Sequence, residues 1–181
     1  INKDWRIGVM DMLTGKVDSV QLPAQNFAVI ALQRRIFSRS NIVFMFVNKQ
    51  ALNYEPADTV KYEYSAFNRN FGFEYNLASF NNLWTGKVML LKSFSPGNPG
   101  KNWVHAANLL YNSRKWVAGW QHEYVGRNYS AEVGFVPRKD YIKLNPSLSR
   151  LFFPAKGKVL SHGPKITSAY YFNTSFRQTD N

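Results

Sequence analysis

At 181 residues and 45% hydrophobic content the chain is long enough to bury the core of one domain, and it has no cysteine, which excludes disulfides, thiolate metal sites and a cysteine nucleophile. Twenty-three Lys and Arg against eleven Asp and Glu leave a net charge of +12, which draws phosphate-bearing partners such as nucleic acid or anionic lipid headgroups. Aromatic residues make up 16% of the chain, a share that favours pleated surfaces and membrane interfaces; no run of about 18 apolar residues marks a transmembrane helix, and a β-barrel would leave no such run.

The chain opens Ile1-Asn2-Lys3-Asp4-Trp5 with neither Met nor a signal peptide, which reads as a processed product or a piece of a longer chain. Trp5 to Leu13 predicts a strand in which Trp5, Ile7, Val9 and Asp11 share a phase, stopped by Thr14-Gly15. Asn26 to Ile36 and Asn41 to Asn48 predict two strands joined by the short turn Phe37 to Ser40. Both phases of the second are apolar, which suits a strand covered on both faces or a barrel strand whose inner face is plugged. Leu52 to Asp58, with Pro56, is a longer connection. Arg69 to Leu77 alternates cleanly, with Phe71, Phe73, Tyr75 and Leu77 against Asn70, Gly72, Glu74 and Asn76.

Leu83 to Phe94 is the next strand, ended by the strong breaker Ser95-Pro96-Gly97-Asn98-Pro99-Gly100. Trp103 to Tyr111 pairs with Trp116 to Tyr124 across Asn112-Ser113-Arg114. The stretch from Lys115 to Arg138 carries the clearest period in the chain and reads as two strands and a turn. In the first strand Trp116, Ala118, Trp120, His122 and Tyr124 share a phase; in the second, after Gly126-Arg127-Asn128, Tyr129, Ala131, Val133 and Phe135 alternate with Ser130, Glu132, Gly134 and Val136. Lys139 to Pro164 holds three prolines and reads as a long loop with a short strand near Leu151 to Phe153, and Ile166 to Arg177 closes the chain as a strand with Tyr170, Phe172 and Phe176 in phase. The expectation is one all-β, antiparallel domain over residues 1–181, with about nine strands and no substantial helix. One aromatic and one polar face fit either a soluble sandwich or a membrane barrel.

The chemistry-bearing residues are sparse. Glu63, Glu74, Glu123 and Glu132 lie on or near strands without a spacing that marks an acid/base pair. His105 and His122 fall on adjacent strands, but two histidines without a third ligand make a weak metal site. Neither a phosphate-cradling glycine loop with a following helix nor a Gly-x-Ser-x-Gly elbow occurs. No catalytic, cofactor-binding or metal residue is therefore assigned. Gln33 to Arg39 interleaves Arg with an aromatic, as a nucleic-acid surface would. Yet Arg34, Arg35, Arg39, Arg114, Lys115, Arg127, Arg138 and Lys139 cluster at turns and strand ends, which suits a barrel rim facing anionic headgroups better.

Three blocks carry a resemblance: RRIFSRSNIVFMFVNKQ from Arg34 to Gln50, WTGKVMLLKSFSPG from Trp84 to Gly97, and NYSAEVGFVPRKDY from Asn128 to Tyr141. In order and spacing they resemble a bacterial outer-membrane family, domain of unknown function 5916, whose members join a module akin to family-nine carbohydrate-binding domains to a C-terminal β-barrel. With Asp4 to Val17 the resemblance covers most of the chain, and EVGFVPR is its most specific part. It implies part of, or a complete small, outer-membrane β-barrel acting as pore, scaffold or surface anchor, linked to glycan handling. It implies no catalytic residues. Under it Phe71, Phe73, Tyr75, Leu77, Trp116 and Trp120 are assigned to lipid, and Glu74, Asn76, Gln121, Glu123 and Glu132 to the lumen, with Glu132 paired to an inward Arg. The implied partners are membrane lipid, missing strands of a parent chain or a partner outer-membrane protein, and glycan. The alternatives are a soluble β-sandwich that stacks carbohydrate on Trp103, Trp116 and Trp120, and a basic nucleic-acid-binding domain. About nine strands would leave edges near Trp5 and Tyr170 that something must cover.

Overall fold

The computed structural model describes residues 3–54, 65–98 and 100–174. Where side chains alternate in the sequence the backbone is extended, giving β1 (Trp5–Thr14), β2 (Ala24–Ile36), β3 (Ser40–Leu52), β4 (Phe67–Ala78), β5 (Trp84–Phe94), β6 (Trp103–Asn112), β7 (Trp116–Val125), β8 (Tyr141–Arg150), β9 (Lys165–Thr167) and β10 (Tyr170–Asn173). The one helical element among the described residues is a single 3-10 turn at Asp18–Val20. All the strands form one antiparallel meander in chain order, with β9 and β10 in line along the far side of β8. Among the described residues β1 pairs with β2 alone, so the sheet is open and not closed into a barrel.

Register carries each face across the whole sheet. One row of directly opposed residues runs Ile7, Leu32, Phe44, Phe73, Leu90, His105, Tyr124, Ile142, Phe172. The next row in the opposite phase runs Arg6, Gln33, Val43, Glu74, Met89, Ala106, Glu123, Lys143, Tyr171. Because a strand sends successive side chains to opposite faces, the first row belongs to an apolar face and the second to a polar one. The two ends of the sheet differ as well. Residues 37–39, 79–83 and 113–115 make short turns at one end, where the longer 151–164 connection also lies, whereas residues 15–23 and 126–140 make longer connections at the other.

Several expectations need correction, among them the single closing strand from Ile166 to Arg177, which over the described residues is two short strands, β9 and β10. Residues 129–136 do not form a strand: 126–140 is a loop, because Tyr129 N–H bonds back to the Gly126 carbonyl and Gly134 N–H to the Ala131 carbonyl, closing tight turns instead of a ladder. The 139–164 stretch is not one long loop either, since it contains β8. Pro146 sits inside that strand and lacks an N–H, so it accepts from Ser168 N–H at 3.2 Å but returns no bond. The ladder breaks there, which separates β9 from β10. The strand expected near Leu151 to Phe153 reduces to one isolated bridge, Phe152 to His162. Glu63, Pro56 and Phe176 lie outside the described residues. No second sheet packs on the first among the described residues, so Phe71, Phe73 and Tyr75 are not sandwiched.

Candidate functional site

The distribution of burial is the reverse of a water-soluble sheet. On the apolar face Trp120 is 46% exposed and Phe73 44%, while on the polar face Asn68 and Ser93 are 0% exposed. Soluble proteins bury large apolar side chains and leave amides in water. With about two-fifths of roughly 200 Å² showing on each ring, Phe44, Phe71, Phe73, Trp103, Trp116 and Trp120 alone present on the order of 500 Å². Exposed Ile7, Val9, Val88, Leu90, Leu109 and Leu148 extend the same face, taking it past the few hundred Å² that a soluble monomer ordinarily shows in one patch.

Polar groups mark the borders of this apolar field. Toward the long-loop end, Arg69 donates to Asn48 and Gln50, each at 3.2 Å, and Asn26 donates to Asp11 at 2.6 Å. Aromatic pairs stand at both ends: Trp84 with Tyr111 at 4.9 Å by the short turns, Trp103 with Tyr124 at 4.8 Å by the long loops. Cations lie over rings at the same levels. Arg34 is 5.2 Å from the Trp5 ring centroid and Arg150 5.0 Å from that of Trp116 at the short-turn end, and Arg69 is 4.6 Å from Phe67 at the other. Amphipathic rings and long basic side chains favour such a boundary, where one end of the group is apolar and the other wet.

The polar face is crossed near the long loops by residues 126–140. Gly126 begins the crossing: its N–H bonds to the Trp103 carbonyl at 3.0 Å, and a Cβ there would sit 2.9 Å from that same oxygen and closer still to the Lys101 carbonyl. Asn68 then holds the loop from both sides, donating to the Ser130 carbonyl at 3.1 Å and accepting Glu132 N–H at 3.2 Å, while Ser93 Oγ accepts Ser130 N–H at 3.1 Å. The Glu132 carboxylate bonds Lys49 Nζ and Ser65 Oγ. Tyr129 of the loop joins Val104, Val125 and Tyr141 of the sheet in a buried apolar core. Loss of water around the Tyr129 phenol pushes its pKa up. Among the described residues the buried apolar core therefore lies between this loop and the polar face of the sheet.

Phe71, Phe73, Tyr75, Leu77, Trp116 and Trp120 all stand on the apolar face, and Glu74, Asn76, Gln121 and Glu123 all on the polar face. Glu132 reaches that face from the loop, not from a strand, and its partner is a Lys where an Arg was expected. Glu74 bonds Lys87 at 2.9 Å and Asn76 at 2.7 Å, a structural pairing and not an acid/base dyad. His105 and His122 do meet, with ring nitrogens 3.1 Å apart, and Trp120 Nε1 donates to His122 Nδ1. Among the described residues no group of three His, Cys, Asp or Glu is placed to hold a metal. Reading the sequence missed Lys49, Asn68 and Ser93. Their signal was phase: a Lys, an Asn and a Ser each fall where the register aims at the polar face. Comparison with protein-family models, curated proteins and solved structures finds no match to this chain.

Proposed function

We propose that this chain is a non-catalytic segment of a bacterial outer-membrane β-barrel, serving as pore, scaffold or surface anchor. The single observation that carries the reading is the inverted burial: large rings and aliphatic side chains exposed on one face, Asn68, Asn70, Ser93 and Lys49 buried on the other. Membrane barrels turn apolar side chains to lipid and polar ones to the lumen, with aromatic girdles at both interfaces and short turns at one end. The apolar face here has its aromatic and basic borders, and three tight turns lie at one end of the sheet, beside the longer 151–164 connection. The 126–140 loop then lies within the lumen as a partial plug. The resemblance of its sequence blocks to an outer-membrane family points the same way.

Fluorescence in lipid vesicles tests this. The five Trp residues, Trp5, Trp84, Trp103, Trp116 and Trp120, all stand on the apolar face and should be quenched strongly by lipids brominated on the acyl chain and weakly by acrylamide. A monodisperse protein in buffer without detergent, with acrylamide the stronger quencher, would sink the membrane reading. Exposure of Trp103, Trp116 and Trp120 also favours a glycan-stacking surface, and that reading requires saturable quenching by a soluble oligosaccharide in the absence of lipid.

A further inference from the structure

Alternation separates the adjacent cations of β2. Arg34 lies on the apolar face over Trp5, whereas Arg35 lies on the polar face opposite Asn41. There, at the short-turn end of β1 to β3, a cavity of about 180 Å³ is lined by Lys3, Arg6, Arg35 and Arg39, with Gln33 and Asn41 between them. Arg6 faces Gln33 directly across the β1–β2 ladder, so two guanidinium groups and two amides converge from adjoining rungs. Arg39 enters from the turn after β2, held by Asn82 Oδ1 of the 79–83 turn. Asp4 is the one carboxylate in the lining. The inward carboxylate of Glu74 is bonded to Lys87 and Asn76.

Four cations about one carboxylate repel one another, and the repulsion falls when a compact anion sits among them. Guanidinium forks meet an oxyanion with two parallel N–H bonds each, and the amide groups of Gln33 and Asn41 supply further donors. We infer that this cavity is a binding site for a phosphate-class oxyanion, carried either by a small solute or by a lipid headgroup. Its size suits a single phosphate or a small phosphate ester. Its place on the polar face sets it apart from the Arg34 and Arg150 rim, and the site stands whatever covers the apolar face.

The test is calorimetric titration of the folded protein in zwitterionic micelles with inorganic phosphate, against chloride at equal ionic strength. Saturable phosphate binding is expected, weakened about tenfold or more by Arg6→Gln and by Arg35→Gln, since each removes a charge-assisted pair of bonds. Arg34→Gln, one residue away on the other face, should leave it unchanged. Each variant is first checked for an unaltered strand signal in circular dichroism; should a strand variant fail to fold, Arg39→Gln, in the turn, carries the same expectation. No saturation, or equal weakening by Arg34→Gln and Arg35→Gln, would overturn the site and reduce the effect to net charge. Doping the micelles with phosphatidylglycerol separates the sources: competition with phosphate identifies a headgroup, and undiminished phosphate binding identifies a solute.

Discussion

Phe73 and Asn76 stand three positions apart on β4, on opposite faces of the same sheet, and their surroundings differ in kind. The ring of Phe73 is directly opposed by Phe44 and Leu90, while the Asn76 amide donates to Asn41 at 2.9 Å and to Glu74 at 2.7 Å. A cation forced onto a lipid-facing midplane position costs about 2–4 kcal/mol, and one added to a lumen costs little. Phe73→Arg is therefore expected to abolish insertion into vesicles, measured by the heat-dependent shift of the folded band on a gel, and Asn76→Arg to insert as the parent does. Equal behaviour of the two would show that the faces are wrongly assigned. On the polar face Asn68→Ala should be the more damaging truncation. It strips Glu132 N–H and the Ser130 carbonyl of their partners beneath the loop, at about 1–3 kcal/mol for each buried group left unpaired. Urea unfolding should show a loss of about 2 kcal/mol or more, and an unchanged midpoint would mean the loop is not held there.

The 126–140 loop is the element whose behaviour the sequence did not announce. Gly126→Ala should dislodge it, because the new Cβ meets the backbone oxygens of Lys101, just before β6, and of Trp103, its first residue, and backbone atoms cannot rotate away as a side chain would. Trypsin should then cut at Arg127, Arg138 and Lys139 much faster than in the parent, with strand content by circular dichroism unchanged; a loop equally protected in the variant would refute the plug. The reasons for the misreading are physical. Tyr129, Ala131, Val133 and Phe135 keep a period of two, but period alone does not say whether backbone N–H groups meet a neighbouring strand, and here tight turns and Asn68 take them. In β8 the error ran the other way. Ile142, Leu144 and Leu148 alternate with Lys143, Asn145 and Ser147, a strand pattern masked by Pro146, which the sheet accommodates by breaking the ladder on one side. β1, β4 and β7 were readable from their local alternation, and β3, whose two phases are both apolar, from the short turn that joins it to β2. The basic cavity was not, because Arg34 and Arg35 look alike as charges and differ only in phase.

At the scale of the molecule, the open edges decide what the sheet needs. Among the described residues β1 has a partner on one side only, and the residues of its apolar face include Ile7 and Val9, the latter 74% exposed. At the far edge β9 and β10 also pair on one side, with Ile166 and Tyr170 exposed. In hydrocarbon every unpaired backbone group costs several kcal/mol, so a spanning sheet cannot leave either edge bare. If the sheet spans a membrane as proposed, either the two edges meet or further strands from this or another polypeptide cover them. The chain's lack of cysteine makes the choice measurable, since any thiol introduced is the one thiol present. A disulfide forms only when Cα atoms lie within about 7 Å, so Val9→Cys with Tyr170→Cys reports closure directly. As β1 and β10 have no contact in this sheet, no intramolecular disulfide is expected under mild oxidation in vesicles. The Val9→Cys single variant should instead resist a membrane-impermeant thiol reagent, because lipid and a covering strand both shield it. An intramolecular disulfide would show that the sheet closes on itself in the membrane, which retires the need for covering strands and keeps the barrel. Rapid labelling of Val9→Cys, in a sample that stays monodisperse without detergent, would leave β1 a bare edge in water and remove the reason for a barrel at all.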